Sequence, residues 1–287
     1  MNFRTDLALE RCENLDKKSL EGVDMNVVEE EGATITRIEV LSETGEKTVG
    51  KPVGRYVTVE VAPFAVHAQF IDDSLDALAK EIRRIIPREG SVLVAGLGNM
   101  RITPDALGPK CASMIFATRH ITGELLRSTG LSGLRCVSAV ATGVTGETGA
   151  EAGEIIKGVV RTVKPDFVIT VDALAARNVG RLGRTIQMCD TGIVPGSGVG
   201  NSRQEISKKT IGVPVISIGV PTVVDAATLI MDCTGNENAV YDGAENMMVT
   251  PREIDLMIER ASKAISLAIN CALQPDITPE DMLILTS

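Results

Sequence analysis

The sequence has no tryptophan, two histidines, and aromatic side chains at only 2% of its 287 positions. So few rings leave little surface for stacking bases, the usual way single strands are held. The formal net charge of −9 acts in the same direction, because phosphate binding needs clustered Lys and Arg. Direct nucleic-acid binding is therefore not expected, and a basic protein or peptide partner suits the field better. His67 and His120 are the two histidines, and neither lies in an H-E-x-x-H string. A histidine-rich zinc site and a Ser-His-Asp triad lack their parts, and no G-x-S-x-G elbow occurs. The cysteines at 12, 111, 136, 189, 233 and 271 make no C-x-x-C pair. They read as core residues of an intracellular, reduced protein. No apolar run reaches transmembrane length, and Met1-Asn-Phe-Arg-Thr-Asp6 lacks a signal-peptide core. The expectation is a cytosolic protein with no membrane partner, no cofactor and no metal.

What is present is aliphatic. Apolar residues make up 44% of the chain, enough for a sizeable core of Val, Ile, Leu, Ala and Met. Residues 1 to about 30 are polar, with little periodicity, and read as a flexible leader. Ala33 to Leu41 and Arg55 to Ala62 alternate as strands, with Ser42 to Lys47 between them supplying turn residues. Asp72 to Ile86 has the spacing of an amphipathic helix with an acidic start. From Ser91 onward strands and helices alternate: a strand to Ala95, a helix opened by Thr103-Pro104 and reaching about Arg127, and a strand near Arg135 to Val140. A helix near Glu147 to Val163 and a strand ending at Asp172 follow, then strands at Arg184 to Cys189 and Val213 to Val220. A helix start at Pro221 to Ile230 and a helix from Pro251 to Leu273 capped by Thr250 complete the pattern. This predicts an α/β protein, its sheet mostly parallel or mixed with helices on both faces, plus an N-terminal antiparallel β appendage. The expected divisions are residues 1–6 as a pro-segment, 7–70 as leader and β unit, and 71–287 as the α/β domain.

Two carboxylates draw attention because of where they fall. Asp172 follows the buried run Phe167 to Val171, and ligands of open α/β sheets bind at the carboxyl ends of such strands. Asp105, in Thr103-Pro-Asp-Ala-Leu-Gly-Pro-Lys110, follows an earlier strand in the same way, although an acid at a helix start also serves as a cap. Poor solvation raises an acid's pKa, and two acids sharing one proton can activate water and protonate a leaving group. Asp190 and Asp225 compete for the second position, and Lys110 and Arg177 offer positive charge. His120 reads as a packed or capping residue. Gly45 to Lys51 fits G-x-x-x-x-G-K, but Pro52 stands where a P-loop needs Ser or Thr. Gly196-Ser197-Gly198-Val-Gly200 lacks dinucleotide spacing and reads as a loop shaping a cleft or as a plain turn.

Eight segments in order carry a resemblance. They are Arg4-Thr-Asp-Leu-Ala8, Gly54-Arg-Tyr-Val-Thr58, Gly96-Leu-Gly-Asn99, Thr103 to Lys110, Pro165 to Arg177, Pro195 to Asn201, Gly219 to Asp225 and Met248 to Glu253. With them the chain resembles the germination proteases of endospore-forming bacteria. The resemblance implies an atypical aspartic endopeptidase with a fold like the hydrogenase-maturation endopeptidases, made as a zymogen and assembled as a homotetramer. Asp105 and Asp172 match the family's two essential aspartates. The implied substrates are small acid-soluble spore proteins, cut after Glu or Asp before a hydrophobic residue and Ala, in the forespore and spore core. Asp6-Leu7-Ala8 has that order, which implies processing between Asp6 and Leu7, and Glu10 matches the acid ending the substrate motif. Gly98, Asn99, Lys110 and the loop residues Gly196, Ser197 and Gly198 are candidates for substrate or oxyanion contacts. The link between Asp232 and Met247 is shorter than the resemblance leads one to expect. Two rival functions remain: a metal-assisted maturation-type endopeptidase, and a non-enzymatic α/β ligand-binding protein.

Overall fold

The computed structural model describes residues 5–13, 21–30, 32–66, 71–122, 133–200, 203–236 and 243–286. His67 and the far end of the helix expected to reach Arg127 lie outside them. Strands β1 (Val23–Glu30), β2 (Ala33–Val40), β3 (Gly54–Glu60), β4 (Val92–Leu97), β5 (Val137–Gly143), β6 (Phe167–Ala176), β7 (Thr185–Cys189), β8 (Val215–Asp225) and β9 (Met248–Val249) join in one sheet. The order is β1-β2-β3-β7-β8-β6-β4-β5, with β9 on β8. The run β8-β6-β4-β5 is parallel, whereas β1-β2-β3-β7 and the β7–β8 join are antiparallel. The expected mixed α/β sheet is present, and its N-terminal antiparallel unit runs into the main sheet through β3 and β7.

Helices α1 (Ala8–Glu13), α2 (Glu43–Val49), α3 (Asp73–Ile85), α4 (Leu107–Ser113), α5 (Thr145–Thr148) and α6 (Ala152–Val163) are followed by α7 (Lys208–Ile211), α8 (Ala226–Thr234), α9 (Ile254–Leu273) and α10 (Pro279–Thr286). Both faces of β4, β6 and β8 are covered, which is why they read as apolar runs, whereas the edge strand β5 is only partly buried. On one face Val92, Val94, Phe167, Ile169, Ile216 and Ile218 pack with α3, α4 and α9. On the other, Leu93, Ala95, Val168 and Val215 meet Ile156 and Val160 of α6 and Ile211 of α7.

Several expectations need correction. The leader is not flexible where it is described: Leu7, Ala8, Leu9 and Cys12 are buried, and residues 23–30 form β1. Burying a side chain such as Leu7 contributes about 1.5–3 kcal/mol. Ser42 to Lys47 is not a turn but the start of α2, because Ser42 caps it by accepting from Gly45 N–H. The helix expected from Thr103 is a single 3₁₀ turn (Thr103–Asp105) followed by the short α4, and His120 lies exposed in a turn beyond it. β6 does not stop at Asp172 but runs to Ala176, and β8 runs through Pro221 to Asp225. The β7 pairing ends at Gly219, so the missing N–H of Pro221 interrupts no ladder on that side. The last long helix starts at Ile254 with Glu253 as its cap residue, not at Pro251 with Thr250. Cys12, Cys111, Cys189 and Cys271 are buried as expected, but Cys136 and Cys233 are exposed.

Candidate active site

The site forms where one strand ends and its neighbour continues. β4 pairs with β6 only as far as Gly96–Val171, after which β6 keeps only β8 as a partner. Asp172 is the first residue past that point, so its β4 side opens into a cleft of about 400 Å³. Asp105 lines the same cleft from the 3₁₀ turn after β4. Gly98 makes this turn possible: its φ is +110°, and a Cβ there would stand 2.1 Å from the Asp105 carbonyl oxygen. α4 is pressed against both strand ends through Gly108, where a Cβ would lie 2.2 Å from Leu97 O and 2.3 Å from Val171 O.

The two acids differ in environment. Asp172 is only 5% exposed. Desolvation, and after it the neighbouring charges of Asp105 and Asp6, hold its pKa well above the ordinary aspartate value, while the Ala173 N–H bond opposes them weakly. Asp105 is raised too, chiefly by burial, but the Asn99 N–H donates to its Oδ2 at 2.7 Å and favours the ionised form. Burial disfavours the charge on Asp172, whereas the Asn99 N–H favours it on Asp105, and such differences in environment are what set two acids apart.

A third acid enters the cleft. The Asp6 carboxylate accepts from Ser197 Oγ at 2.7 Å and from Ala175 N–H at 2.9 Å. Gly198 leaves it room, because a Cβ there would come within 2.1 Å of Asp6 Oδ2. Asp6 N–H donates to Ala175 O at 3.0 Å, so the leader runs beside the end of β6. Leu7 fills an apolar pocket with Leu174, Ala176 and Val224. Glu10 accepts from Arg177 N–H and Asn178 N–H at 2.8 and 2.9 Å and faces the Arg181 guanidinium at 3.5 Å. Thr5 Oγ1 donates to Glu10 and accepts from Leu7 N–H, closing the segment on itself.

The other candidates fall as follows. Gly98 and Gly196 line the cleft; Asn99 contributes through its N–H to Asp105. Lys110 lies on α4, near enough to Glu259 to stabilise that carboxylate, and does not line the cleft. Arg177 pairs with Asp232 at 2.7 Å. Asp190 is held by the N–H and the guanidinium of Arg55, each at 2.8 Å, and Asp225 caps α8 through Thr228; neither lines the cleft. Sequence reasoning missed Lys51, Gln187 and the Ala175 N–H. The signal for Gln187 was a polar residue inside the apolar strand Thr185-Ile-Gln-Met-Cys189, and Lys51 appeared only in the rejected phosphate-loop match. Among the described residues, no group of three or more His, Cys, Asp or Glu side chains is arranged to hold a metal ion. None of the described helices is long and apolar enough to cross a membrane.

A buried acid and a half-buried one stand in one cleft beside the leader segment, groups of the kind that acid–base chemistry on a peptide uses. Comparison with known proteins agrees with that class. The family model for the germination protease matches residues 4–235. The germination protease of Caldanaerobacter subterraneus subsp. tengcongensis is 44% identical over 98% of this chain and 97% of its own length. That of Clostridium perfringens is 40% identical over 98% of each. That of Bacillus cereus is 44% identical over 80% of this chain and 65% of its own. A [NiFe] hydrogenase maturation protease, HycI from Thermococcus kodakarensis KOD1, aligns at a TM-score of 0.40 and 19% identity over 67% of this chain and 98% of that one, a likeness too weak to bear on function. The chain belongs to the germination protease family, and is accordingly an endopeptidase.

Proposed function

We propose that the chain is the zymogen of an aspartic-type endopeptidase, processed between Asp6 and Leu7, that starts the degradation of small acid-soluble spore proteins during germination. On this reading it acts in the forespore and spore core as a homotetramer, and cuts after Glu or Asp where a hydrophobic residue and Ala follow. The observation that carries the reading is the seating of the Asp6 carboxylate in the cleft of Asp105 and Asp172, with Leu7 in the adjoining apolar pocket. The leader then occupies the groove as a substrate would, with Ser197, Ala175 N–H and Gly198 forming the pocket for the acidic side chain.

The unequal environments divide the work. Asp172, the more deeply buried, delivers a proton to the leaving nitrogen; Asp105, whose Oδ2 accepts from Asn99 N–H, takes a proton from the attacking water. Incubation with a purified small acid-soluble spore protein, followed by mass mapping, tests the reading. Cuts after Glu or Asp before a hydrophobic-Ala pair, insensitive to chelators, are expected. No cleavage, or chelator-dependent cleavage, would overturn it. Light scattering should report a tetramer.

A further inference from the structure

Two donors missed in the sequence converge on one atom. The carbonyl oxygen of Asp6 accepts from Lys51 Nζ at 2.8 Å and from Gln187 Nε2 at 2.9 Å. The same Gln187 amide accepts from Ala8 N–H at 2.5 Å through Oε1, so it spans the backbone from residue 6 to residue 8, across the Asp6–Leu7 bond. Asp6 borders two cavities: the cleft of the two acids, and a neighbouring one of about 430 Å³ lined by Lys51, Gln187 and Tyr56.

We propose that Lys51 and Gln187 hold the carbonyl of the bond to be cut and stabilise the charge that develops on its oxygen. The inference rests on the reading of Asp6–Leu7 as the processing bond. Oxyanion donors must stand 2.7–3.1 Å from where the charged oxygen will lie and be fixed before reaction; here both already hold the carbonyl oxygen that becomes it, at 2.8 and 2.9 Å. Gln187 is buried in the middle of β7, paired with Thr58 and Gly219 on its two sides. Lys51 leaves α2 just after Gly50, whose left-handed φ of +69° turns the chain. The next residue is fixed by the Tyr56 hydroxyl donating to Pro52 O at 2.8 Å. Lys51 is half-buried; desolvation lowers its ammonium pKa while the Asp6 charge opposes that, and partial exclusion of water strengthens its hydrogen bond to the carbonyl.

In the step itself, the water oxygen bonds to the Asp6 carbonyl carbon as the ionised carboxylate removes one water proton. The carbonyl π pair moves onto oxygen, between Lys51 and Gln187. The protonated carboxyl then gives its proton to the Leu7 nitrogen, the C–N bond breaks, and the oxyanion pair returns to re-form C=O. The products are the Asp6 carboxyl group and the Leu7 amine, with one water consumed.

If the two side chains only tie down the leader, removing them slows self-processing but not cleavage in trans. The test uses full-length protein and a synthetic peptide of residues 1–16 of this chain. Lys51→Met and Gln187→Met, both close in shape to the originals, should each lower the first-order rate at which Leu7 appears as a new N-terminus. Each should also lower kcat on the peptide by about 100-fold, as loss of one oxyanion donor does, with KM within about threefold. Lys51→Arg should recover at least about tenfold of the loss, and it decides the matter if Lys51→Met melts early. A wild-type kcat on the peptide in either Met variant overturns the proposal while leaving the processing site standing. Wild-type cleavage of the peptide at any other bond overturns the processing reading, and this proposal with it.

Discussion

At the scale of single residues, the site is a contrast between two carboxyl groups and a pocket for a third. Asp172 drew attention because an apolar β-branched run leads straight into it, and Asp105 because Thr-Pro-Asp marks a helix opening just after a strand. Lys51 and Gln187 were not legible, since their contacts to Asp6 span 45 and 181 residues and no local pattern encodes them. The Asp6 pocket yields a specificity prediction. A hydrogen bond to a charged group contributes about 1.5–3 kcal/mol, so Ser197→Ala should cut the preference for an acid at the cleaved position by about tenfold. The check is the ratio of kcat/KM for the peptide of residues 1–16 to that of its Asp6→Asn version. An unchanged ratio would remove Ser197 from the pocket.

At the scale of elements, the strand alternation and the amphipathic α3 were readable, because burial on one face or on both imposes a period. The helix expected to run past residue 113 was not, since apolar content beyond Ser113 packs without continuing the helix: Phe116 N–H is taken by the Asn270 side chain and Thr118 N–H by Val137 O. α1 was missed because its few buried residues are too short a run to show a period. The approach of α4 to β4 and β6 depends on Gly108, a residue visible in the motif but with no visible reason there. Gly108→Ala would force a methyl against two backbone carbonyls. Overpacking of this kind costs about 1–3 kcal/mol, so the expected result is a lower Tm by calorimetry together with slower processing, because the turn carrying Asp105 leads directly into α4. A variant that melts and processes like wild type would contradict this packing.

At the scale of the whole molecule, one sheet joins the strands beside the leader to the strand ends around the two acids, and those acids weaken the fold that holds them. An aspartate whose folded pKa lies above its unfolded one binds a proton more readily when folded. Its stabilising contribution is whole below the unfolded value of about 3.9 and is lost as pH rises through the folded value. Both Asp105 and Asp172 are raised. Asp172→Asn should therefore melt above wild type at about pH 7.5, with the gap closing as pH falls toward about 4. A variant no more stable than wild type at neutral pH would mean that Asp172 is not destabilised by ionisation. The roles of Asp105 and Asp172 are tested by N-terminal sequencing of full-length protein after activation, for wild type, Asp105→Asn and Asp172→Asn side by side. Wild type should begin at Leu7, and self-processing should be slowed at least about 100-fold in both variants, which otherwise stay folded. Leu7 appearing at the wild-type rate in either variant would contradict those roles.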